Sequence, residues 1–162
     1  MNWYRFKLAE VPEQELGMKR DFAGLEVNVE NPAGTERVGV DPDGHEWRTK
    51  MKYDYGFVYN AEGTDGDSLD VYLGPDMEAD KAYVVHQVDP YNDHKYDEDK
   101  CMLGLENPKD AKKAYLYHYD RDDFFGSMTE VAIEDFKREV KSKNRKKVDW
   151  KKKGREVTDN EL

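Results

Sequence analysis

The sequence predicts an α+β domain: a small, closed or nearly closed barrel of short strands, with helices flanking it on the C-terminal side. Three observations predict it. From Leu25 onward, short segments rich in β-branched and aromatic residues alternate with Gly, Pro and Asp breakers. Helical punctuation begins only at Asn107-Pro108, an N-cap followed by proline at the first helical position. Strands first and helices afterwards favour α+β over a doubly wound sheet. Finally, 11 Tyr, 6 Phe and 3 Trp in 162 residues give the chain material for a core, which disordered chains lack.

Taken in order, residues 1–21 read as a peripheral arm with an aromatic cluster (Trp3, Tyr4, Phe6) and a short polar segment of helical character. LEVNVE (25–30) alternates with the period of a half-buried strand. NPAGTE turns at Pro32 and Gly34. VGV, the DPDG turn and HEWRTKMKYDYGFVYN read as strand, turn and strand. SLDVYLG, KAYVVHQVD and KCMLGL are further strands. A helix through DAKKAYLYHY follows, then strand MTEVA and a terminal helix IEDFKREVKSKNRKK. Ile133, Phe136 and Val140 lie at i, i+3 and i+7, one apolar stripe. The expected layout is an arm (1–21), one domain (22–140) and a basic C-terminal helix end or tail (141–162).

Composition narrows the function. The net charge is −10, yet the stretch from Lys137 to Arg155 is strongly basic, so the remainder is very acidic. An acidic body repels nucleic acid and attracts cations. The tail is expected to meet an anionic partner, a nucleic acid or the body itself, or to be a solvated, frayed helix end. No apolar run approaches about 18 residues, so no membrane span is expected. The N-terminus lacks the apolar region of a signal peptide. A single cysteine, Cys101, excludes an internal disulfide and a Cys-rich zinc site, and a reducing cytoplasm is the expected setting.

The chemistry concentrates at Thr64-Asp65-Gly66-Asp67-Ser68-Leu69-Asp70-Val71. Three carboxylates this close repel unless a cation compensates. Oxygen ligands suit a hard divalent metal. An EF-hand loop from Asp65 fails, because its fifth position is Leu69 and its sixth Asp70. A second acidic knot, DPYNDHKYDEDK (89–100), is read as a turn between strands. If its strands pair near the first cluster, the two converge on a negative pocket. Arg37, Arg48, Lys50, Lys52 and Lys100 supply counter-charge in the same region. Metal, Lys/Arg and Tyr together are a composition for gripping phosphate. No P-loop and no HExxH spacing is present. His45, His86, His94 and His118 therefore read as surface or packing residues. Ser68 and Ser127 lack a nucleophile elbow, and Cys101 reads as a buried thiol.

Tyr55-Gly56-Phe57 followed by Asp65-Gly66-Asp67-Ser68-Leu69-Asp70-Val71 resembles the signature of family I soluble inorganic pyrophosphatases. The wider order is similar to the pyrophosphatase-like domain of bacteriophage and prophage proteins, which would place the chain in a bacterial cytoplasm. That order is ENPAG (30–34), DPDG (41–44) with Trp47, YGF, DGDSLDVYLGP (65–75), VVHQVDP (84–90), DEDKCMLGL (97–105) and EDFKREV (134–140). The resemblance covers about residues 24–140. It implies an OB-like β-barrel and hydrolysis of pyrophosphate to two phosphates with several Mg²⁺ ions, Mn²⁺ being the alternative metal.

Residue by residue, the resemblance makes Asp65 and Asp70 principal metal ligands and Asp67 the acceptor of the water's proton. Glu98 matches the later metal-binding acid, Glu30 the early one, and either Asp89 or Asp93 a further one. Lys100 and Tyr55 match phosphate-holding, catalytic positions; Arg37, also expected to hold phosphate and act in catalysis, stands where a phosphate-binding lysine is expected, and Arg48 or Lys50 where an arginine is. Tyr119 is a substrate-binding position, and Arg121 takes the place of a lysine because Asp120 follows Tyr119 directly. Ser68 replaces the usual Pro or Glu. Expected partners are pyrophosphate or a related phosphoanhydride, a second copy of the chain, and the tail's anionic partner. Two alternatives share the residues: hydrolysis of another phosphoanhydride such as a nucleotide, and a non-catalytic phage-derived interaction module.

Overall fold

A computed structural model of the chain describes residues 18–59, 68–142 and 148–162. Among the described residues there are ten strands: β1 (Met18–Phe22), β2 (Leu25–Asn31), β3 (Glu36–Val40), β4 (Glu46–Lys50), β5 (Asp54–Tyr59), β6 (Ser68–Leu73), β7 (Lys81–Asp89), β8 (Lys95–Leu103), β9 (Phe125–Ala132) and β10 (Arg155–Glu156). The helices are α1 (Pro108–Tyr117) and α2 (Ile133–Lys141). Eight strands form one mixed sheet in the order β1-β2-β5-β6-β8-β7-β9-β10, and β3 with β4 forms a separate ribbon. The α+β class holds. A closed barrel is not found among the described residues, whose pairings run from β1 to β10 without joining the ends. No helix among them is long and apolar enough to cross a membrane.

The strand β8 lies between β6 and β7, antiparallel to β7 and parallel to β6. This insertion sets Asp70 opposite Lys100 and Val85 opposite Lys100 on the other side. The sheet is buried on both faces. Val27, Val29, Val71, Val84, Cys101 and Val131 fill one face beneath Phe136 and Val140 of α2. Tyr55, Tyr72, Val85, Met102 and Met128 fill the other beneath Ala111, Ala114 and Tyr115 of α1. KAYVVHQVD reads as a nearly continuous apolar run because both of its faces are covered. The helix α1 starts as its punctuation predicts: the Asn107 side chain accepts from the Asp110 N–H, with Pro108 next.

Four elements differ from the sequence expectation. Residues 18–21, read as the end of a peripheral arm with helical character, belong to strand β1 and pair with β2, while the arm's aromatic cluster (Trp3, Tyr4, Phe6) lies outside the described residues. HEWRTKMKYDYGFVYN is two strands, β4 and β5, because the chain leaves the ribbon at Met51 and enters the large sheet at Asp54. The acidic knot is mostly strand: β8 begins at Lys95, and only residues 90–94 turn. The C-terminal segment is not a continuation of α2, which ends at Lys141. Past residues 143–147, which lie outside the described residues, the chain returns to the body. Trp150 is buried and stacks on Phe136 at 4.9 Å, Val157 is buried, and β10 pairs with β9. Lys153 pairs with Glu139 at 3.0 Å, and Arg155 with Glu130 and Glu161. The tail thus spends part of its charge on the body's own acids. Such exposed pairs contribute little, so the buried indole carries the docking. Replacing Trp150 by alanine is expected to cost about 3 kcal/mol of unfolding free energy in urea titrations, whereas Lys153→Ala is expected to cost under about 1 kcal/mol.

Candidate active site

The ladder of cross-strand neighbours builds the site on the α1 face of the sheet. Asn31, Tyr55 and Tyr72 form one row across β2, β5 and β6. Asp70 and Lys100 form the next across β6 and β8, and Glu98 and Gln87 a third across β8 and β7. Neighbours in such rows are close enough for side chains to touch. A bulge in β2 leaves Glu30 as the extra residue and brings Asn31 into register with Tyr55. The glycine of the YGF motif has a steric reason: a Cβ on Gly56 would lie 1.9 Å from the Asn28 carbonyl oxygen.

At the centre, the Lys100 ammonium is buried and spends its three hydrogens on three partners. It donates to Asp70 Oδ2 at 2.7 Å, to the Tyr55 hydroxyl oxygen at 2.9 Å, and pairs with Glu98 Oε1 at 2.7 Å. Tyr55 in turn donates its own proton to Asp70 Oδ2 at 3.0 Å. Burial alone would raise the Asp70 pKa; the charge and hydrogen bond of Lys100, with the Tyr55 hydroxyl and Arg37, outweigh it and hold Asp70 below its ordinary value. Burial raises the Tyr55 phenol, against the pull of Lys100, so Tyr55 stays a neutral donor. Lys100 itself, against burial, is held well above its ordinary value by Tyr55, Asp70 and Glu98 among others, and remains cationic. Arg37, from the β3-β4 ribbon, lays its guanidinium over the Tyr55 ring at 4.6 Å and beside Trp47 at 5.7 Å.

A further set lies beside this one. Gln87, fully buried, donates to Asp97 Oδ2 at 2.9 Å and accepts from the hydroxyls of Tyr115 and Tyr119 at 2.6 and 2.7 Å. The Tyr115 and Tyr119 rings stack at 4.6 Å. Burial raises the Asp97 pKa, Gln87 opposes the rise, and Glu98 adds to it. The acids of β8 therefore divide by face and partner. Glu98 meets Lys100 and Asp97 meets Gln87, while Asp99 turns to the opposite face. There Asp99 contacts His86 Nδ1 at 2.7 Å, and His86 Nε2 contacts Thr129 at 2.7 Å. A cavity of about 330 Å³ lined by His86, Tyr96, Asp99, Val148, Asp149 and Lys151 lies on that other face and is no part of the site.

The other expected residues are placed as follows. Asp65 and Asp67 lie outside the described residues. Glu30 sits at the β2 bulge, half-buried. Asp89 and Asp93 serve the β7-β8 turn: Asp89 Oδ1 accepts from the Tyr91 N–H at 2.9 Å, and Asp93 holds a left-handed backbone at φ 54°. Arg48 and Lys50 alternate to the face of the ribbon opposite Arg37, and Arg48 pairs with Glu36. Tyr119 is held by Gln87. Arg121 is exposed and forks onto Asp123 at 2.8 and 2.5 Å, over the Tyr91 ring at 5.0 Å, and Asp120 stands 3.8 Å from His45 Nε2. The structure thus unites Tyr55, Asp70, Glu98, Lys100 and Arg37, holds Asp89, Arg48 and Arg121 in other contacts, and places Asp93 in the β7-β8 turn and Lys50 on the far face of the ribbon. Gln87, Asn31 and Tyr72 escaped the sequence reading. Only a polar residue inside the apolar run of β7 gave a signal for the first.

The donor set agrees in kind with a hard divalent cation: Asp70 and Glu98 offer carboxylate oxygens that each approach one cationic nitrogen. In number it is incomplete, for the described residues contain no cluster of three acids or histidines. A family model for inorganic pyrophosphatase matches residues 15–141. The chain belongs to the inorganic pyrophosphatase family. Comparisons with curated proteins and with solved structures each gave no match. The family's shared core accordingly spans β1 to α2, and β10 and Trp150 follow it.

His118 caps α1 and closes the floor behind Tyr72. Its Nδ1 meets the Ala114 carbonyl at 2.7 Å, and its Nε2 accepts from the Lys52 N–H at 3.1 Å. Burial pulls the His118 pKa down to about 4; the Ala114 hydrogen bond resists, and Arg37 and Lys52 add to the fall. The imidazole is therefore neutral in the fold and protonates first in the unfolded chain. Its contribution is present above about pH 6.5 and is lost as pH falls from there towards 4. The unfolding free energy of the protein is expected to drop by up to about 3 kcal/mol more over that interval than that of His118→Gln. Denaturant titrations at several pH values measure it.

Proposed function

We propose that the chain hydrolyses inorganic pyrophosphate to two phosphates in the presence of Mg²⁺, with Mn²⁺ able to replace it. The observation that carries this reading is the buried Lys100 ammonium holding Asp70, Glu98 and Tyr55 on one face while Arg37 stands behind Tyr55. Acids for a divalent cation and cations for a phosphoanhydride are interleaved there. Asp70 and Glu98, with Asp65 and Glu30 by their motif positions, are the proposed metal ligands. Bound metal would supply charge neutralisation and a more acidic water. The protein's own groups do the rest. Lys100 and Arg37 hold phosphoryl oxygens, and Tyr55 donates from a phenol kept neutral by burial. Asp67 accepts the proton of the attacking water, whose oxygen bonds one phosphorus as the bridging P–O bond breaks towards the other phosphate. Motif order supports a phage-type pyrophosphatase-like domain, and the free, buried Cys101 suits a reducing cytoplasm.

One observation favours a second reading. Arg121, the candidate for the family's C-terminal phosphate-holding position, is forked onto Asp123, and Asp120 beside it is acidic. That weakens the outer grip on a diphosphate and favours either a related phosphoanhydride or a non-catalytic module. Phosphate release from pyrophosphate, and from a panel of nucleoside di- and triphosphates, separates the three. The expected result is Mg²⁺-dependent release from pyrophosphate. It should fall about 100-fold or more in Asp70→Asn and about 10-fold in Tyr55→Phe. No release from any of these substrates above the Asp70→Asn background, with either metal, would leave the module reading. Lys100→Met is expected to raise KM strongly. It should also destabilise the fold by about 3 kcal/mol at pH 7, because the half-buried Asp70 and Glu98 are left without their cation; the deficit should shrink on acidification as Asp70 protonates.

A further inference from the structure

We propose that Tyr72 is a ligand-binding residue: its hydroxyl and the Arg37 Nε–H together receive one anionic oxygen of a bound phosphate. This rests on the phosphate-binding reading of the site and extends it to a residue outside the motif. Tyr72 is fully buried, yet its hydroxyl has no hydrogen-bond partner among the described residues, and neither has the buried Arg37 Nε. Native folds rarely leave buried donors unmade. One neighbour that could satisfy Tyr72 is already committed: His118 lies 4.7 Å away ring to ring, but both its nitrogens are used by Ala114 and Lys52.

The hydroxyl also lies among the site's groups. Tyr72 packs on Tyr55 at 4.6 Å, and the charges and phenols that act on it are Tyr119, Tyr55, Arg37 and Lys100. In the same row, Asn31 is buried with both ends of its amide unpartnered. Tyr72 and Arg37 Nε are unpartnered donors, and the Arg37 and Lys100 charges both act on the Tyr72 phenol. The matching occupant is an acceptor carrying negative charge, and a phosphoryl oxygen has that chemistry.

The test is Tyr72→Phe, which removes one oxygen and keeps the ring. Inorganic phosphate is titrated calorimetrically into the intact chain with and without Mg²⁺, and melting temperatures are measured without ligand. The expected result is about ten-fold or more weaker phosphate binding, with an unliganded melting temperature equal to or above that of the parent. Tyr83→Phe, in the same row beyond Met102, serves as the control and should bind phosphate normally. Unchanged phosphate affinity in Tyr72→Phe overturns the proposal and leaves the wider site reading standing. A lowered unliganded melting temperature also overturns it, because the hydroxyl would then have been partnered within the fold. If the parent chain itself takes up no phosphate, the site reading fails together with the proposal.

Discussion

The Lys100 ammonium is the contact on which the site depends. It is buried, and all three of its hydrogens are committed. An unpaired charge there would be costly, and the arrangement survives because Asp70 and Glu98 come from the strand beside it and from its own strand. That proximity is a consequence of topology. Inserting β8 between β6 and β7 makes the β6-β8 pair parallel and sets Asp70 against Lys100. A phosphate oxygen that reaches Lys100 must displace one of three protein partners. Binding at this site is therefore an exchange of partners, with the cost of separating carboxylate from ammonium included.

The faces of the sheet do different work. On one, Val, Cys and Phe residues make a dry core under α2, interrupted by the His86 set, whose ring nitrogens are both satisfied. On the other, aromatic rings under α1 carry hydroxyls, and several of those hydroxyls converge on Lys100 and Gln87. Tyrosine suits that second face because it adds apolar area and a polar tip together. The abundance of Tyr over Phe in the composition thus has a structural location.

Much of the fold was legible where local chemistry is strong. LEVNVE, SLDVYLG and KAYVVHQVD are strands, and the Asn107-Pro108 start opens a helix. The failures share a cause. DEDK looked like a turn because acids are depleted in strands, yet Asp97, Glu98 and Asp99 each meet a buried partner contributed by β7 or by β8 itself. A basic segment looked solvated because a single indole at Trp150, not the charge pattern, decides its docking. Within the site, Tyr55, Asp70, Glu98 and Lys100 were reached through their motifs. Gln87, Asn31 and Tyr72 were not, because a polar side chain in a strand reveals its burial only once register and facing helix are known.

Register also explains why the basic residues of the ribbon divide. Arg37, Gly39, Trp47 and Thr49 share one face of β3-β4, and Glu36, Val38, Arg48 and Lys50 the other. Spacing along the sequence makes Arg37, Arg48 and Lys50 look equivalent as phosphate donors. The alternation of the ribbon makes them inequivalent, for when Arg37 lies over Tyr55 the side chains of Arg48 and Lys50 project away from it. Arg37 can occupy that place because the guanidinium is weakly hydrated and stacks on aromatic faces, whereas a lysine ammonium would lose more hydration. The aromatic bed of Tyr55 and Trp47 is thus what makes an arginine suitable where the family resemblance led one to expect lysine.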